Sequence, residues 1–299
     1  MLKPVLKVGL DISDYKLRIV TLSSYYNKLA LQSFNEIELP AGIITNGKII
    51  DEDQLVSKLK TLTKNLRSRY LKRPKIIAGL PEQRTFVTTI PVASRNIDTL
   101  TREAIKNIPY EENETYYEVE PTKKGNNAAI AAGRKEFIDQ YVSILDKAHI
   151  RPIGLYPEPV AIAKALINNT SNKMKGIMIV DIGLARTSVI FYINSSISFT
   201  TSYPSIIEQQ NINESHYTAA LQQVVQYYNS HHLAQSPLEQ IILCGSGSYI
   251  SQIAELTAQI TGFETILGNP FQALISKRIN TKITHPLAYT TAIGLAMLQ

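Results

Sequence analysis

The sequence predicts an α/β fold in which two similar lobes face each other across a cleft. An apolar strand that ends in an acid occurs twice, in "VLKVGLDIS" at Val5–Ser13 and in "IMIVDIGLARTSVIFYI" at Ile177–Ile193. Each stretch is followed by further strands, a helix and another strand in the same order, and this pseudo-duplication predicts paired lobes. The length of 299 residues suits two domains, and ligands commonly bind where two lobes meet.

The first lobe is predicted to begin with residues 1–80. The strand that ends in Asp11 continues into alternating strands around a turn at Tyr26–Lys28. The segment "DEDQLVSKLKTLTKNLRSRY" predicts a helix, because its leucines recur at helical spacing. "KIIAGLP" then predicts a buried strand, so this part of the chain reads as strands, a helix and a strand.

The next block, residues 81–155, predicts a small α+β subdomain inserted between the two halves. "TFVTTIPV", "TYYEVEPT" and "NNAAIAAGRK" are typical of strands, and "NIDTLTREAIKNI" is typical of a helix. A second helix, "EFIDQYVSILDKAHI", places its apolar residues on one face, and "RPIGLYP" predicts a short strand that returns to the main body.

Residues 176–299 repeat the layout of the first lobe. "GIMIVDIGLARTSVIFYINSSISFTTSYP" predicts three strands in a meander, and "YTAALQQVVQYYNSHH" predicts the helix that follows. "LEQIILCGSGS" predicts a strand that runs into a glycine turn, and "YISQIAELTAQITG" and "AYTTAIGLAMLQ" predict the remaining helices. The second lobe therefore has the same order of elements as the first.

Composition excludes several classes of protein. Hydrophobic residues make up 44% of the chain and charged residues 19%, which is ordinary for a globular protein. The net charge of +6 is scattered, and no nucleic-acid-binding motif accompanies it, so no nucleic-acid partner is predicted. Cys244 is the only cysteine, which fits a cytosolic setting. With no signal peptide and no apolar run near the roughly 20 residues of a membrane span, any role at a membrane is expected to go through a partner.

The motifs of a known superfamily occur in order along the chain. "GLDISDYKLRIV" and "VDIGLARTSVIFYI" are similar to its two phosphate loops, and "IILCGSGSYI" is similar to its adenosine loop. With these motifs the chain resembles the actin-like ATPase superfamily, which has a ribonuclease-H-like fold, and within it the PilM family of type IV pilus assembly. The resemblance covers nearly the whole chain and implies cross-lobe helices in residues 156–175, which contain "YPEPVAIAKAL", and at "AYTTAIGLAM".

The resemblance implies a site for ATP and Mg²⁺ between the lobes. Asp11 and Asp181 would hold the water shell of the Mg²⁺ ion, which usually keeps several waters. Glu158 is the candidate catalytic residue, at a position where some relatives orient a water, and the alternative is a helix N-terminal acid. Lys16 or Arg18 could add positive charge near the phosphates, although strict alternation along the strand points both the same way as Asp14. The other predicted nucleotide-binding residues are Ser13, Lys16, Gly183, Thr187, Gly245, Ser246 and Gly247.

Three departures from the family pattern predict that ATP binding is weak or lost. Ser13 stands where the first phosphate loop usually has glycine, and its side chain crowds the turn. Asp14 adds a second anion beside the proposed phosphate site. Only about a dozen residues separate the second meander from the helix at Tyr217, where relatives place a subdomain that forms one wall of the nucleotide pocket. The second lobe is therefore predicted to be shortened, and enzyme activity is not expected.

By resemblance, the expected function is that of a cytoplasmic scaffold, peripheral at the inner membrane. It would grip the N-terminal tail of a PilN-like membrane protein through the inserted block, Pro81–Leu155, whose strands could offer an edge for an extended peptide. Other pilus inner-membrane proteins and self-association are further expected contacts. A block that only stabilises its lobe is the alternative for the insert. A nucleotide-binding ATPase of the same fold, similar to FtsA or to the cytoplasmic domain of GspL, is the alternative for the whole chain.

Overall fold

Two β-sheets, one in each lobe, organise the protein. The computed structural model describes residues 5–26, 28–69, 75–123, 125–167, 176–208, 211–232, 236–246, 250–275 and 285–299. Within them the first-lobe sheet has the spatial order β10-β6-β1-β2-β3. Its strands are β1 (Val5–Ile12), β2 (Lys16–Tyr25), β3 (Lys28–Glu38), β6 (Lys75–Leu80) and β10 (Arg151–Pro157). The second-lobe sheet contains β11 (Gly176–Ile182), β12 (Arg186–Ile193), β13 (Ser196–Pro204), β16 (Leu238–Gly245) and β17 (Glu264–Leu267).

The two sheets share one topology, which confirms the predicted duplication. The second sheet has the order β17-β16-β11-β12-β13, so each strand has a counterpart in the first sheet. In both lobes the first strand pairs antiparallel with the second and parallel with the strand that follows the helix. The acid-ending strands β1 and β11 therefore lie at the centres of equivalent sheets, and their carboxyl ends point towards the same cleft.

Helices cover these sheets as the sequence periodicity predicts. In the first lobe α1 (Glu52–Arg69) buries Leu55, Leu59 and Leu62 against the sheet. In the second lobe α5 (Glu214–His232) and α6 (Ile250–Thr261) pack on the second-lobe sheet. A short ribbon, β4 (Ile44–Thr45) with β5 (Lys48–Ile49), completes the first-lobe core.

The inserted block contributes a separate three-stranded sheet. It comprises β7 (Thr85–Pro91), β8 (Thr115–Pro121) and β9 (Asn127–Arg134) in the order β7-β9-β8, with α2 (Ile97–Ile105) packed on one face. The other parts of residues 81–155 lie on the first lobe. The helix α3 (Lys135–Lys147) buries its apolar face in the first-lobe core, and β10 pairs with β6. The boundaries at residues 80, 155 and 175 remain a prediction.

A two-stranded ribbon occupies the segment where the second lobe was predicted to lack a subdomain. Between β13 and α5 the described residues form only β14 (Ile207–Glu208) and β15 (Asn211–Ile212), joined as an antiparallel pair. The apolar side chain of Ile206 tucks beneath it, fully buried in the second-lobe core. The ribbon is therefore a turn that closes the core rather than a wall beside the cleft.

Two helices cross between the lobes and pack against each other. They are α4 (Glu158–Leu166), which begins within predicted residues 156–175, and α7 (Thr290–Leu298). Residues 168–175 lie outside the described part of the chain. Gly294 lets the two helices meet closely, because a Cβ there would lie 1.8 Å from the carbonyl oxygen of Ala161. Gly9 gives α7 the same close approach to β1.

Candidate functional site

The acids that end β1 and β11 come together in one cavity between the lobes. Asp11, Asp181 and Glu158 line a space of about 90 Å³. Asp11 belongs to the first lobe, Asp181 to the second, and Glu158 opens the cross-lobe helix α4. Strand topology alone explains the meeting, because the two central strands end at the same cleft.

Arg18 supplies the buried positive charge of this cavity. It is the cross-strand partner of Asp11 in the β1–β2 pair. Its Nη1 lies 3.6 Å from Asp11 Oδ2, and its Nε donates to Glu36 Oε2 at 3.2 Å. The guanidinium also lies 5.8 Å from the centre of the Tyr289 ring. Since the side chains of Arg18 and Asp11 are 6% and 7% exposed, this ion pair is held away from water.

Burial dominates the protonation of the three acids. It raises the pKa of Asp11 to about 6, outweighing the opposite effect of Arg18. Burial also raises the pKa of Asp181, although the Cys244 thiol donates to its Oδ1 at 3.5 Å and Arg18 favours its charged form. The pKa of Glu158 is raised well above its usual range by burial and by the charges of Asp11 and Asp181. The cavity therefore disfavours additional negative charge.

The hairpin turns use their own backbone groups rather than presenting them to a phosphate. The Ser13 N–H and hydroxyl both donate to the Lys16 carbonyl, at 3.0 and 2.9 Å. The Gly183 N–H donates to the Arg186 carbonyl at 2.9 Å in the equivalent turn. Asp14 is engaged as well, because its carboxylate accepts from the N–H groups of residues 46 and 47 at 2.7 and 3.0 Å.

Four other predicted nucleotide residues differ in where they lie. Lys16 reaches the cavity wall, but its Nζ lies 3.1 Å from Glu36 and 3.6 Å from Glu38. Ser246 also lines the cavity. Gly247 lies outside the described residues. Thr187 is fully buried on the opposite face of the second-lobe sheet, among the core side chains, while Ser188 lines the cavity instead.

Gly245 lines the cavity, and close packing between two strands requires a glycine at this position. Its φ is +115°, and a Cβ there would lie 2.2 Å from the Ile182 carbonyl oxygen. The absence of a side chain thus lets β16 approach the end of β11. This glycine is already required by the contact between two strands, whether or not adenosine approaches the turn.

The small cavity does not fit Mg²⁺ with ATP. Its volume of about 90 Å³ is far below the roughly 300 Å³ at which small-molecule pockets begin. Among the described residues no group of three or more His, Cys, Asp or Glu side chains could hold a metal ion. Arg186, the remaining cation among the described residues of the wall, donates to the Ser202 hydroxyl and carbonyl at 3.1 to 3.2 Å. The positive charges in the wall are thus already paired or hydrogen-bonded.

A much larger groove lies beside the inserted sheet. Its volume is about 1,110 Å³, and it runs between the β7-β9-β8 sheet, the cross-lobe helices and the β12–β13 hairpin of the second lobe. The lining is largely apolar and aromatic, and includes Val87, Ile130, Tyr156, Val160, Tyr192, Ile197 and Met297. The sequence predicted a strand edge for a peptide on the inserted block, whereas the second-lobe wall of this groove depends on tertiary packing.

A family model described as "Type IV pilus assembly protein PilM" matches residues 9–204. The chain belongs to the PilM family. Among curated proteins, no sequence matches the chain significantly. The matched residues run from within β1 to the end of β13 and include β11, the inserted block and the helix α4, so the family pattern reaches from the first lobe into the second lobe of this PilM-family protein.

Solved structures confirm the actin-like fold of this PilM-family chain. A PilM–PilN type IV pilus biogenesis complex contains a chain that matches it with a TM-score of 0.79 and 20% identity, over 98% of each chain. A Bacteroides thetaiotaomicron protein with an actin-like ATPase fold matches with a TM-score of 0.50 and 14% identity, over 90% and 94% of the two chains. The cytoplasmic domain of Vibrio cholerae EpsL, from the type II secretion system, gives 0.52 and 8% over 99% and 96%.

The described part of this PilM-family chain contains no helix that is both long and apolar enough to cross a membrane.

The place of Arg18 in the cleft follows from its pairing opposite Asp11. The signal that could have identified it is the hairpin register. A four-residue turn from Ser13 to Lys16 places Arg18, rather than Lys16, opposite the acid.

Proposed function

We propose that this PilM-family chain is an actin-like scaffold of type IV pilus assembly that docks the cytoplasmic N-terminal tail of a PilN-like inner-membrane protein. The groove of about 1,110 Å³ carries this proposal. It is more than ten times as large as the cleft cavity of about 90 Å³. A chain with a wide apolar groove and a nearly filled nucleotide cleft is better suited to hold a peptide than to turn over ATP.

The groove has the features that recognise an extended apolar peptide. In the described residues β8 is an edge strand of the inserted sheet, so its outer backbone groups are free of sheet partners and an added strand can pair with them. Tyr156, Val160 and Ile197 supply apolar surface from three different elements. A strand laid along the groove would thus gain main-chain hydrogen bonds from one side and burial of alternate side chains from the other.

Acidic side chains on β8 suit the tail of an inner-membrane protein. Glu118 and Glu120 line the groove along this strand, while Lys123 and Lys164 line other parts of it. Cytoplasmic segments beside membrane spans are enriched in Lys and Arg. A basic tail would therefore meet acidic side chains along β8. The membrane protein that carries the tail would then hold the scaffold at the cytoplasmic side of the inner membrane.

The decisive experiment measures the affinity of a fluorescent tail peptide by anisotropy. Val160→Lys places a charge on the apolar groove wall, and because it removes apolar burial and repels a basic tail, we expect affinity to fall roughly tenfold or more. Val142→Lys is the matched control, since Val142 is 40% exposed on α3 and lies outside the groove lining. Equal affinity of both variants would show that the groove is not the docking site.

The proposal includes weak or absent ATP binding. Titration with a fluorescent ATP analogue and Mg²⁺ should show no micromolar binding, because the cleft cavity is small and its wall cations are already paired or hydrogen-bonded. The competing function is an ATPase of the same fold, and the convergence of Asp11, Asp181 and Glu158 in one cavity favours it. Phosphate release at about 1 per second or faster, abolished by Asp181→Ala, would establish that alternative. Binding to other pilus proteins and self-association remain predictions.

A further inference from the structure

We infer that Arg18 is the resident cation of the cleft, taking the place of the divalent metal and keeping the two lobes closed without nucleotide. The inference deepens the proposed function, because it rests on the proposed weakness of ATP binding. The acids of an actin-like cleft are present in this chain, but the space for a metal and a triphosphate is not.

A single guanidinium serves acids from both lobes. Arg18 lies 3.6 Å from Asp11 and 3.2 Å from Glu36, both in the first lobe, and it lines the same cavity as Asp181 of the second lobe. Asp11 and Asp181 lie on different lobes and repel each other when charged. A cation that acts on both relieves this repulsion, which is the task a metal would perform. Because a guanidinium is more weakly hydrated than an ammonium and brings its own donors, it can act in a cavity with little room for water.

Arg18 also contacts the segment that leads into the cross-lobe helix α7. Tyr289, beneath the guanidinium, ends the short helical turn Pro286–Tyr289, which packs against β16 of the second lobe. The ring of Tyr289 meets Phe34 of β3 edge-on, with 5.4 Å between ring centres. Arg18 therefore stands where a first-lobe hairpin, the α7 segment and the acid of the second lobe converge.

Contacts on both sides of the cleft keep the same closed arrangement. On the insert side, the hydroxyls of Thr88 and Thr89 donate to carbonyl oxygens of β13 at 2.7 Å. On the opposite side, the Ile275 N–H donates to the Leu29 carbonyl of β3 at 2.7 Å. With both rims joined, Arg18 neutralises the acids at the centre, and the large groove keeps both its first-lobe and second-lobe walls.

Thermal unfolding with and without Mg²⁺ tests the inference on the intact chain. The wild-type melting temperature should be the same in EDTA, in 10 mM MgCl₂ and with Mg²⁺ plus ATP. Arg18→Met removes the charge and keeps much of the stem, so we expect the melting temperature to fall by roughly 5–10 °C. Part of that loss should be restored by 10 mM MgCl₂, because the carboxylates are left without their cation.

A matched control separates the cleft from a general loss of an arginine. Arg134 also faces one glutamate, at 3.8 Å from Glu114, and one aromatic ring, at 5.2 Å from the centre of Tyr110, but its side chain is 60% exposed. Arg134→Met should lower the melting temperature by no more than 1–2 °C and give no response to Mg²⁺. A combined Arg18→Met and Asp11→Asn variant should recover stability and lose the response to Mg²⁺.

Several outcomes would overturn the inference. A wild-type melting temperature that rises by several degrees with Mg²⁺ or with Mg²⁺ and ATP would show that Arg18 does not replace the metal. Equal effects of Arg18→Met and Arg134→Met would do so as well. The tail-peptide assay on the wild type separates this failure from that of the proposed function. If the wild type binds the peptide and its melting temperature responds to Mg²⁺, only the role of Arg18 is refuted. If the melting temperature does not respond to Mg²⁺ and the peptide does not bind, only the docking proposal is refuted.

Discussion

The contact between α4 and α7 at Gly294 allows a quantitative test of how the lobes are joined. A Cβ at Gly294 would lie 1.8 Å from the Ala161 carbonyl oxygen, whereas ordinary contacts begin at 3.4 Å. In Gly294→Ala the two helices would therefore have to separate by the difference between these distances, about 1.6 Å. The obstructing atom belongs to the backbone, so it cannot move aside by changing a side-chain rotamer.

Two effects of opposite sign compete in Gly294→Ala. Alanine in a helix interior is favoured over glycine by about 1 kcal/mol. Overpacking in a tight interior costs roughly 1–3 kcal/mol and occasionally more, and a clash with a backbone carbonyl belongs at the upper end of that range. We therefore expect a net loss of about 2 kcal/mol in the free energy of unfolding. The corresponding fall in melting temperature is about 3 °C, because the entropy of unfolding of a chain of 299 residues is about 0.6 kcal/mol/K.

Thermal and guanidinium unfolding, followed by far-ultraviolet circular dichroism, would measure this loss. Gly79→Ala is the matched control, because its Cβ would lie 3.3 Å from Leu295 Cδ1 on the same helix, and that methyl group can move by a few tenths of an ångström. The control should change stability by less than about 1 kcal/mol. If Gly294→Ala were instead more stable than the wild type by about 1 kcal/mol, helix propensity would have prevailed and the close crossing of α4 and α7 would be refuted.

Two further predictions concern the acids and the rim of the cleft. Burial raises the pKa of Asp11 from 3.8 to about 6, so between these values the folded chain keeps a proton that the unfolded chain releases. This proton contributes about 3 kcal/mol to the free energy of unfolding. The contribution is complete below about pH 4 and is lost as the pH rises through about 6. Denaturant titrations at several pH values across this range would give the free energy of unfolding of the wild type and of Asp11→Asn. This free energy should fall more steeply with rising pH in the wild type, and an equal dependence on pH in both proteins would contradict the raised pKa of Asp11. The double variant Thr88→Val and Thr89→Val loses two hydrogen bonds worth about 1 kcal/mol each, so amide exchange along β7 and β13 should accelerate. Thr99→Val on α2 should leave that exchange unchanged.

Much of the architecture could be predicted because it depends on local pattern. The acid-ending strands, the helical leucine spacing of α1 and the repeated order of elements are all visible in the sequence, and topology then brings Asp11 and Asp181 to one cavity. The partner of an apolar helix face is not visible in this way. The periodicity of α3 shows that one face is buried, but only packing shows that it completes the first lobe rather than the insert.

Side-chain direction was harder to predict than strand position, because it depends on where a turn ends. Counting alternation from Asp14 left Arg18 undecided, yet the turn occupies residues 13–16 and the strand register then sets Arg18 opposite Asp11. Thr187 and Ser188 illustrate the same sensitivity, since a shift of one residue exchanges the faces of a sheet. The groove could not be predicted in full, because its second-lobe wall is brought to the insert only by the folded chain.

The packing of α7 against β1 has a consequence for how the protein is made. The side chain of Gln299 accepts from the Val8 N–H at 2.8 Å, across a sequence separation of 291 residues, and Gly9 is covered by the same helix. At a synthesis rate of roughly 5–20 residues per second, β1 leaves the ribosome about 15–60 s before α7. During that interval the face of β1 that α7 covers is bare and available to chaperones. The first lobe therefore waits for nearly 300 residues of translation before its earliest strand can reach its final surroundings.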